Sequence, residues 1–186
     1  LNSAIPSPFI KNIFKDSKNR LWTAAEDGGV IIMDMDRGEV LDTDIWKDLP
    51  GNDAVVTSFV QNEDDSILIG TSNYGILIYD EQSNAVRRAR DASARNCKVE
   101  SLLKNSFTEK YGPETVLAGI ENGGLQIYNL ENEKVTDIRI PGVAFDMSTW
   151  KVHCLTEDNQ GNIWVGAYQT GIMVIPESMY GFDFIQ

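Results

Sequence analysis

Short segments that combine acidic, amide and aromatic side chains recur along the chain, each just before a glycine. Aromatic rings stack on the apolar faces of sugars, and amide or acid groups hydrogen-bond to sugar hydroxyls, so this mixture suits a carbohydrate ligand. The simpler interpretation is that these are turn residues on a polar surface. The candidates are Glu26, Asp27, Asn73, Tyr74, Glu121, Asn122, Tyr168 and Gln169, and Trp46 and Trp150 lie in the stretches between these repeats.

The glycines that follow these segments mark a repeat that covers most of the chain. They recur at intervals of about 47 residues, which is the period of an array, a solenoid or a propeller. An apolar residue before each glycine keeps the same spacing. The aligned glycines are Gly29, Gly75, Gly124 and Gly171, and the aligned apolar residues are Trp22, Leu68, Leu117 and Trp164.

Each repeat predicts four short β-strands. The second strand is a nearly continuous apolar run, such as RLWTAA (20–25) or NIWVGA (162–167), which is typical of a strand covered on both faces. Asn, Asp and Gly in the turn before it, and the aligned glycine after it, permit tight hairpins. A third apolar strand and a more polar fourth strand follow. The pattern predicts an all-β fold, a β-propeller segment of four four-stranded antiparallel blades.

The repeat also predicts how the chain is divided. We expect a single propeller fragment over residues 1–186, with blades at approximately 6–50, 51–95, 96–145 and 146–186. Trp22 and Trp164 are expected to pack between blades, because they lie at the apolar centre of a strand. Since propellers contain roughly 4–8 blades, four could close alone, form an open arc or pair with a second chain. An open arc would expose apolar faces at its two ends, and such faces seek partners.

Composition restricts the classes of partner. The 186 residues carry a net charge of −12, which argues against nucleic acid and against anionic membranes. No apolar run is long enough for a membrane helix. The chain begins with Leu and shows no signal peptide, so we expect a piece of a longer protein.

The cysteines and the single histidine offer little chemistry by spacing alone. Cys97 and Cys154 are too few for a disulfide framework, and whether they are paired stays open. Cys154 is expected to be a small core residue. With His153 as the only histidine, no metal site can be assembled by spacing, and we expect neither a metal nor a cofactor.

The repeat resembles a known one, the two-component regulator propeller. The resemblance is strongest in EDNQGNIWVGAYQTGIMVI (157–175) and KDSKNRLWTAAEDGGVIIMD (15–34). In that family the repeats build the periplasmic sensor region of hybrid two-component systems, which are membrane-spanning histidine kinases. Members usually carry two seven-bladed propellers, and many sense oligosaccharides from complex glycans. The resemblance therefore implies a fragment of a larger, seven-bladed propeller.

The resemblance also implies a function. The chain would be the extracytoplasmic, non-catalytic part of a sensor, binding an oligosaccharide over the loops named above. Its partners would be neighbouring blades or domains of its parent, or a second copy in a homodimer. One alternative is a scaffold or dimerisation propeller without a ligand. Another is a sialidase-like glycoside hydrolase, because EDNQGNIW (157–164) also resembles the Asp-box hairpin, but the required set of converging arginines is not seen.

Overall fold

The strands form one antiparallel sheet for each repeat. The computed structural model describes residues 9–26, 29–41, 45, 54–104, 108, 111–112, 114–138 and 147–181. Within these residues three sheets have four strands and the last has three. The chain divides into two compact units, Leu1–Lys98 and Val99–Gln186, and each unit contains two sheets. The predicted all-β architecture is confirmed.

The first unit contains two simple meanders, in which each strand pairs with the next one along the chain. This order arises because short polar turns join consecutive strands. The first sheet consists of β1 (Ile10–Lys15), β2 (Arg20–Ala25), β3 (Val30–Asp34) and β4 (Glu39–Val40). The second sheet consists of β5 (Val56–Gln61), β6 (Ile67–Thr71), β7 (Ile76–Asp80) and β8 (Ala85–Arg88), and the short helix α1 (Ala92–Arg95) follows it.

The second unit repeats the same arrangement. The first of its sheets consists of β9 (Val99–Leu103), β10 (Thr115–Ile120), β11 (Gly124–Asn129) and β12 (Val135–Asp137). The other consists of β13 (Val152–Glu157), β14 (Ile163–Ala167) and β15 (Gly171–Ile175), and a 3-10 helix over Glu177–Gly181 ends the described chain. In both units the first strands of the two sheets lie side by side.

The hairpin between the first and second strands is built the same way in the first and last sheets. In the first sheet the Asp16 carboxylate accepts the backbone N–H of Arg20 (2.9 Å) and the indole N–H of Trp22 (2.8 Å). In the last sheet Asp158 accepts the indole N–H of Trp164, also at 2.8 Å. The aspartate therefore closes the turn and at the same time fixes the tryptophan on the following strand.

The core of the first unit lies between its two sheets. Trp22 is fully buried there, with its ring 5.0 Å from that of Tyr79 and 6.1 Å from that of Phe59. Phe14 stacks on Phe59 at 5.9 Å. Aromatic groups of this size bury the largest apolar areas and favour such tilted pairs. The predicted packing of Trp22 between two sheets is confirmed.

The same prediction is wrong for Trp164, which is 41% exposed. Its sheet is the last in the described chain, and the face that carries it also leaves Ile172 and Val174 exposed. The prediction that Cys154 is a core residue is wrong for the same reason, since its thiol is exposed. Both errors follow from assuming that every sheet is covered on both faces. Cys97 and Cys154 are free thiols.

Candidate functional site

A one-residue bulge occurs at the same place in the first strand of every sheet. The strand pairing shifts register once in each strand, leaving one extra residue opposite the second strand. Such a bulge bends the strand and turns the extra side chain in a new direction, and bulges of this kind are common next to functional sites. The extra residues are Lys11, Thr57, Glu100 and His153.

In the second unit the two bulge residues face each other. The Nδ1 atom of His153 lies 3.8 Å from the Oε2 atom of Glu100. The ring of Tyr168 stands edge-on to the imidazole, with 5.6 Å between the ring centroids. His153 is exposed, whereas the carboxylate of Glu100 is largely covered. The pair therefore presents a polar, solvent-accessible edge next to a candidate loop.

Three loop segments of the second unit meet beside this pair. The backbone N–H of Tyr168 donates to the carbonyl of Lys151 (2.9 Å), and that of Gly124 donates to the carbonyl of Trp150 (3.1 Å). The ammonium of Lys151 lies 3.9 Å from the carboxylate of Glu121. We call these segments, residues 121–123, 147–151 and 168–170, together with the bulge residues Glu100 and His153, the loop cluster.

Backbone conformation explains why these loops carry the residues they do. Asn122 and Gln169 adopt positive φ angles of 59° and 60°, so part of their role is to form the turn. Gly124 has a φ of 65°, and an added Cβ there would lie 2.1 Å from the carbonyl oxygen of Met147. Only glycine lets the turn approach the next segment so closely. Gly124 therefore allows the turn at residues 121–123 to lie against residues 147–151 of the loop cluster.

Among the candidates that the structure describes in the second unit, Tyr168 is the exposed aromatic residue. Its side chain is 54% exposed. Asn122 and Gln169 are exposed as well, whereas Glu121 is half-buried. Trp150 packs partly against the core of this unit, so it supports the loop cluster more than it presents a free ring. The structure brings these five predicted residues to one end of the two sheets.

In the corresponding loops of the first unit, the candidates Asn73 and Tyr74 make contacts within the protein. The side-chain oxygen of Asn73 accepts the backbone N–H of Val55 (3.1 Å). The ring of Tyr74 packs against the core and lies 4.5 Å from the guanidinium of Arg88. Glu26 is exposed. One face of the Tyr74 ring is therefore already taken by a cation.

Two of the candidates, Asp27 and Trp46, lie outside the described residues. Sequence reasoning missed Glu100 and Lys151 as site residues and expected no metal site from His153. A bulge leaves no mark in the pattern of apolar residues, since the extra residue simply adds one polar position. The alignment of the four repeats would have shown that these positions correspond.

The described residues offer neither a metal-binding cluster nor a membrane-spanning helix. No group of three His, Cys, Asp or Glu side chains in this part of the chain is arranged to hold a metal ion. None of the helices that the structure describes has the length and apolar character needed to cross a bilayer.

A comparison with protein families identifies the repeat. Residues 148–169, which include the whole β13–β14 hairpin and Tyr168, match the family model described as two component regulator propeller. The chain carries a two-component regulator propeller repeat. No curated protein matches the sequence significantly.

Two of the similar solved structures are extracellular domains of hybrid two-component systems. The chain is similar to the extracellular domain of the hybrid two-component system BT3049 from B. thetaiotaomicron, with a TM-score of 0.70, 17% identity and coverage of 98% of this chain and 22% of that chain. It is similar to that of BT4673 from the same organism, with a TM-score of 0.66, 17% identity and coverage of 91% and 22%.

The computationally designed Ika4 protein is also similar, with a TM-score of 0.59, 14% identity and coverage of 90% of each chain. At these identities the likeness establishes the fold, and the fold is that of a β-propeller segment. The chain spans only 22% of the length of the two natural structures.

Proposed function

We propose that this chain is a ligand-sensing part of the periplasmic region of a hybrid two-component sensor and that its ligand is a glycan-derived oligosaccharide. The observation that carries the proposal is the loop cluster on a chain with a two-component regulator propeller repeat. There, the exposed ring of Tyr168 packs edge-on against His153, which lies 3.8 Å from Glu100, and the neighbouring segments carry the ion pair of Lys151 with Glu121.

The chemistry of the loop cluster suits a sugar. The exposed part of the Tyr168 ring offers an apolar surface for the C–H face of a pyranose. Glu121 can accept hydrogen bonds from hydroxyl groups, and Lys151 can donate them. Because the Lys151 ammonium and the Glu121 carboxylate are paired with each other, their charges offset, and this part of the site does not select strongly for an anion or a cation. That balance favours a neutral, polyhydroxylated ligand.

The ligand would act by changing the arrangement of the parent protein. The parent would be a membrane-spanning histidine kinase, and this chain would itself be non-catalytic. Binding can alter the kinase only if the ligand favours one arrangement of the sensor domains over another. The loops are suited to that role, because the bonds from Tyr168 to Lys151 and from Gly124 to Trp150 already tie separate segments together.

The test is calorimetric titration with a panel of neutral glycan oligosaccharides, on this chain and on the complete sensor region in parallel. We expect saturable binding by at least the complete region. Tyr168→Ala should weaken it by roughly 2- to 12-fold or more, since a stacked aromatic contributes roughly 0.5–1.5 kcal/mol beyond its buried area. Tyr168→Phe, which keeps the ring, should bind nearly as well as the wild type.

The matched control is Glu131→Ala. Glu131 is exposed in the turn between β11 and β12, at the opposite end of that sheet from the loop cluster, so its removal should leave affinity unchanged. If the complete region binds no oligosaccharide, the proposal fails and the scaffold alternative is favoured. If it binds one with equal affinity in Tyr168→Ala and wild type, the ligand lies elsewhere and the assignment of the site is wrong.

A further inference from the structure

The last sheet presents an apolar face without a cover among the described residues. Trp164, Val174 and Ile172 are 41%, 39% and 74% exposed, respectively. These three side chains lie on one face, because Trp164 pairs with Val174 across β14 and β15 and Ile172 lies two residues before Val174. We call them the Trp164 face. A contiguous patch of this kind marks an interaction surface.

The first sheet presents a second such face. Ile13 is 66% exposed, Ile10 39% and Met35 46%. We call these residues the Ile13 face. It is the side of the first sheet that faces away from the buried Trp22, because Ile13 and Phe14 are neighbours in β1 and point to opposite sides, and Phe14 packs towards the second sheet.

The interior of the first unit shows how two such faces fit. Trp22 occupies the aligned position of Trp164, and the second sheet covers it with Phe59 and Tyr79. Phe59 occupies the aligned position of Ile13, and Tyr79 that of Met33. By the same register, Ile13 and Met33 of a first sheet would cover Trp164.

Charge supports the same pairing. In the first unit, Lys18 and Arg20 of one sheet form ion pairs with Asp65 and Glu81 of the other, at 2.8–3.6 Å. In the last sheet the positions of Lys18 and Arg20 are taken by Gln160 and Asn162, which carry no charge. In the first sheet the positions of Asp65 and Glu81 are taken by Asn19 and Met35. The aligned residues are read from the sequence.

This correspondence matters because an ion left unpaired at an interface carries a large desolvation cost. Inside the first unit, each of these charged side chains has a partner of opposite charge. In the proposed contact, the uncharged residues of the Trp164 face would meet the uncharged residues of the Ile13 face. We propose that the Trp164 face of one copy binds the Ile13 face of a second copy, so that the chain self-associates head to tail. Contacts of this heterologous kind either close into a ring or continue into a longer assembly.

The test is sedimentation velocity of the 186-residue chain over a range of concentrations. We expect reversible association of the wild type at micromolar concentrations. Ile172→Glu and Ile13→Glu should each raise the dissociation constant at least about tenfold, since each places a charge in an apolar contact. Thr136→Glu adds the same charge on an exposed strand of another sheet and should associate like the wild type.

A mixture distinguishes head-to-tail association from pairing of identical faces. Ile172→Glu and Ile13→Lys should associate with each other more tightly than either does alone, because the unchanged Ile13 face of the first variant can bind the unchanged Trp164 face of the second. Circular dichroism confirms that each variant is folded. A wild type that stays monomeric, or an Ile13→Glu variant that associates normally while Ile172→Glu does not, would overturn the proposal.

Discussion

Replacing Asp16 with alanine should be among the most destabilising single changes in the first unit. The Asp16 side chain accepts hydrogen bonds from the indole of Trp22 (2.8 Å), the guanidinium of Arg20 (2.6 Å) and the backbone N–H groups of Lys18 and Arg20 (3.0 and 2.9 Å). Asp16 is 4% exposed and Trp22 is fully buried. Water therefore cannot readily replace the carboxylate as a partner of the indole.

The magnitude follows from which donors are left without a partner. A buried donor that loses its acceptor costs about 1–3 kcal/mol, and this applies to the indole of Trp22. Arg20 keeps its bonds to Glu81 (2.8 and 3.0 Å), so its loss is only partial, about 1–2 kcal/mol. The two backbone groups lie at a turn and can bond to water. We expect a total loss of about 3–4 kcal/mol, below the upper end found for broken buried ion pairs.

The assay is urea denaturation, followed by tryptophan fluorescence and by circular dichroism. Coincident transitions would justify a single free energy of unfolding. The matched control is Asp158→Ala, which removes the same indole bond from Trp164 where the side chains are exposed, and it should cost clearly less. A loss below about 1 kcal/mol for Asp16→Ala, or equal losses for the two variants, would refute the argument from burial.

Three further predictions follow from the turns and the thiols. Gly124→Ala should lower the urea midpoint several times more than Gly29→Ala, because both have positive φ but only at Gly124 would a Cβ meet a backbone oxygen; equal losses would contradict this. Hydrogen bonds from an indole and an amide lower the pKa of Asp158 from 3.8 to about 2. Its contribution to stability is therefore complete above pH 3.8 and is lost as the pH falls towards 2, so Asp158→Asn should flatten the acid limb of the denaturation profile. Maleimide should label the exposed Cys154 quickly and Cys97 slowly, since burial raises the pKa of the Cys97 thiol to about 11; equal rates by mass spectrometry would argue against this packing.

The sheets could be predicted because their determinants are local and repeated. Each repeat contains a polar turn, an apolar second strand and an aligned glycine, and this pattern predicts the same hairpin four times. The structure contains all four hairpins. The conformation of the turns also follows from residue type, as at Asn19 and Asp65, which adopt positive φ. Local rules of this kind do not depend on what packs against the sheet.

The surroundings of each sheet could not be predicted in the same way. Trp22 and Trp164 occupy the same position of the same hairpin, yet one is fully buried and the other is 41% exposed. The difference lies in whether another sheet covers that face, and the pattern of apolar residues around the tryptophan does not encode it. The bulges at Glu100 and His153 are equally hidden, because one extra polar residue does not disturb the apolar pattern.

The central claim is that the loop cluster is a ligand surface, and amide chemical-shift mapping tests it most directly. The sample is isotopically labelled chain titrated with the oligosaccharide that binds most tightly in calorimetry. The account predicts that shifts concentrate in residues 121–123, 147–151 and 168–170 and that they disappear in Tyr168→Ala. Shifts concentrated instead in the turns at the opposite end of the same sheets, residues 130–134 and 158–162, would contradict it.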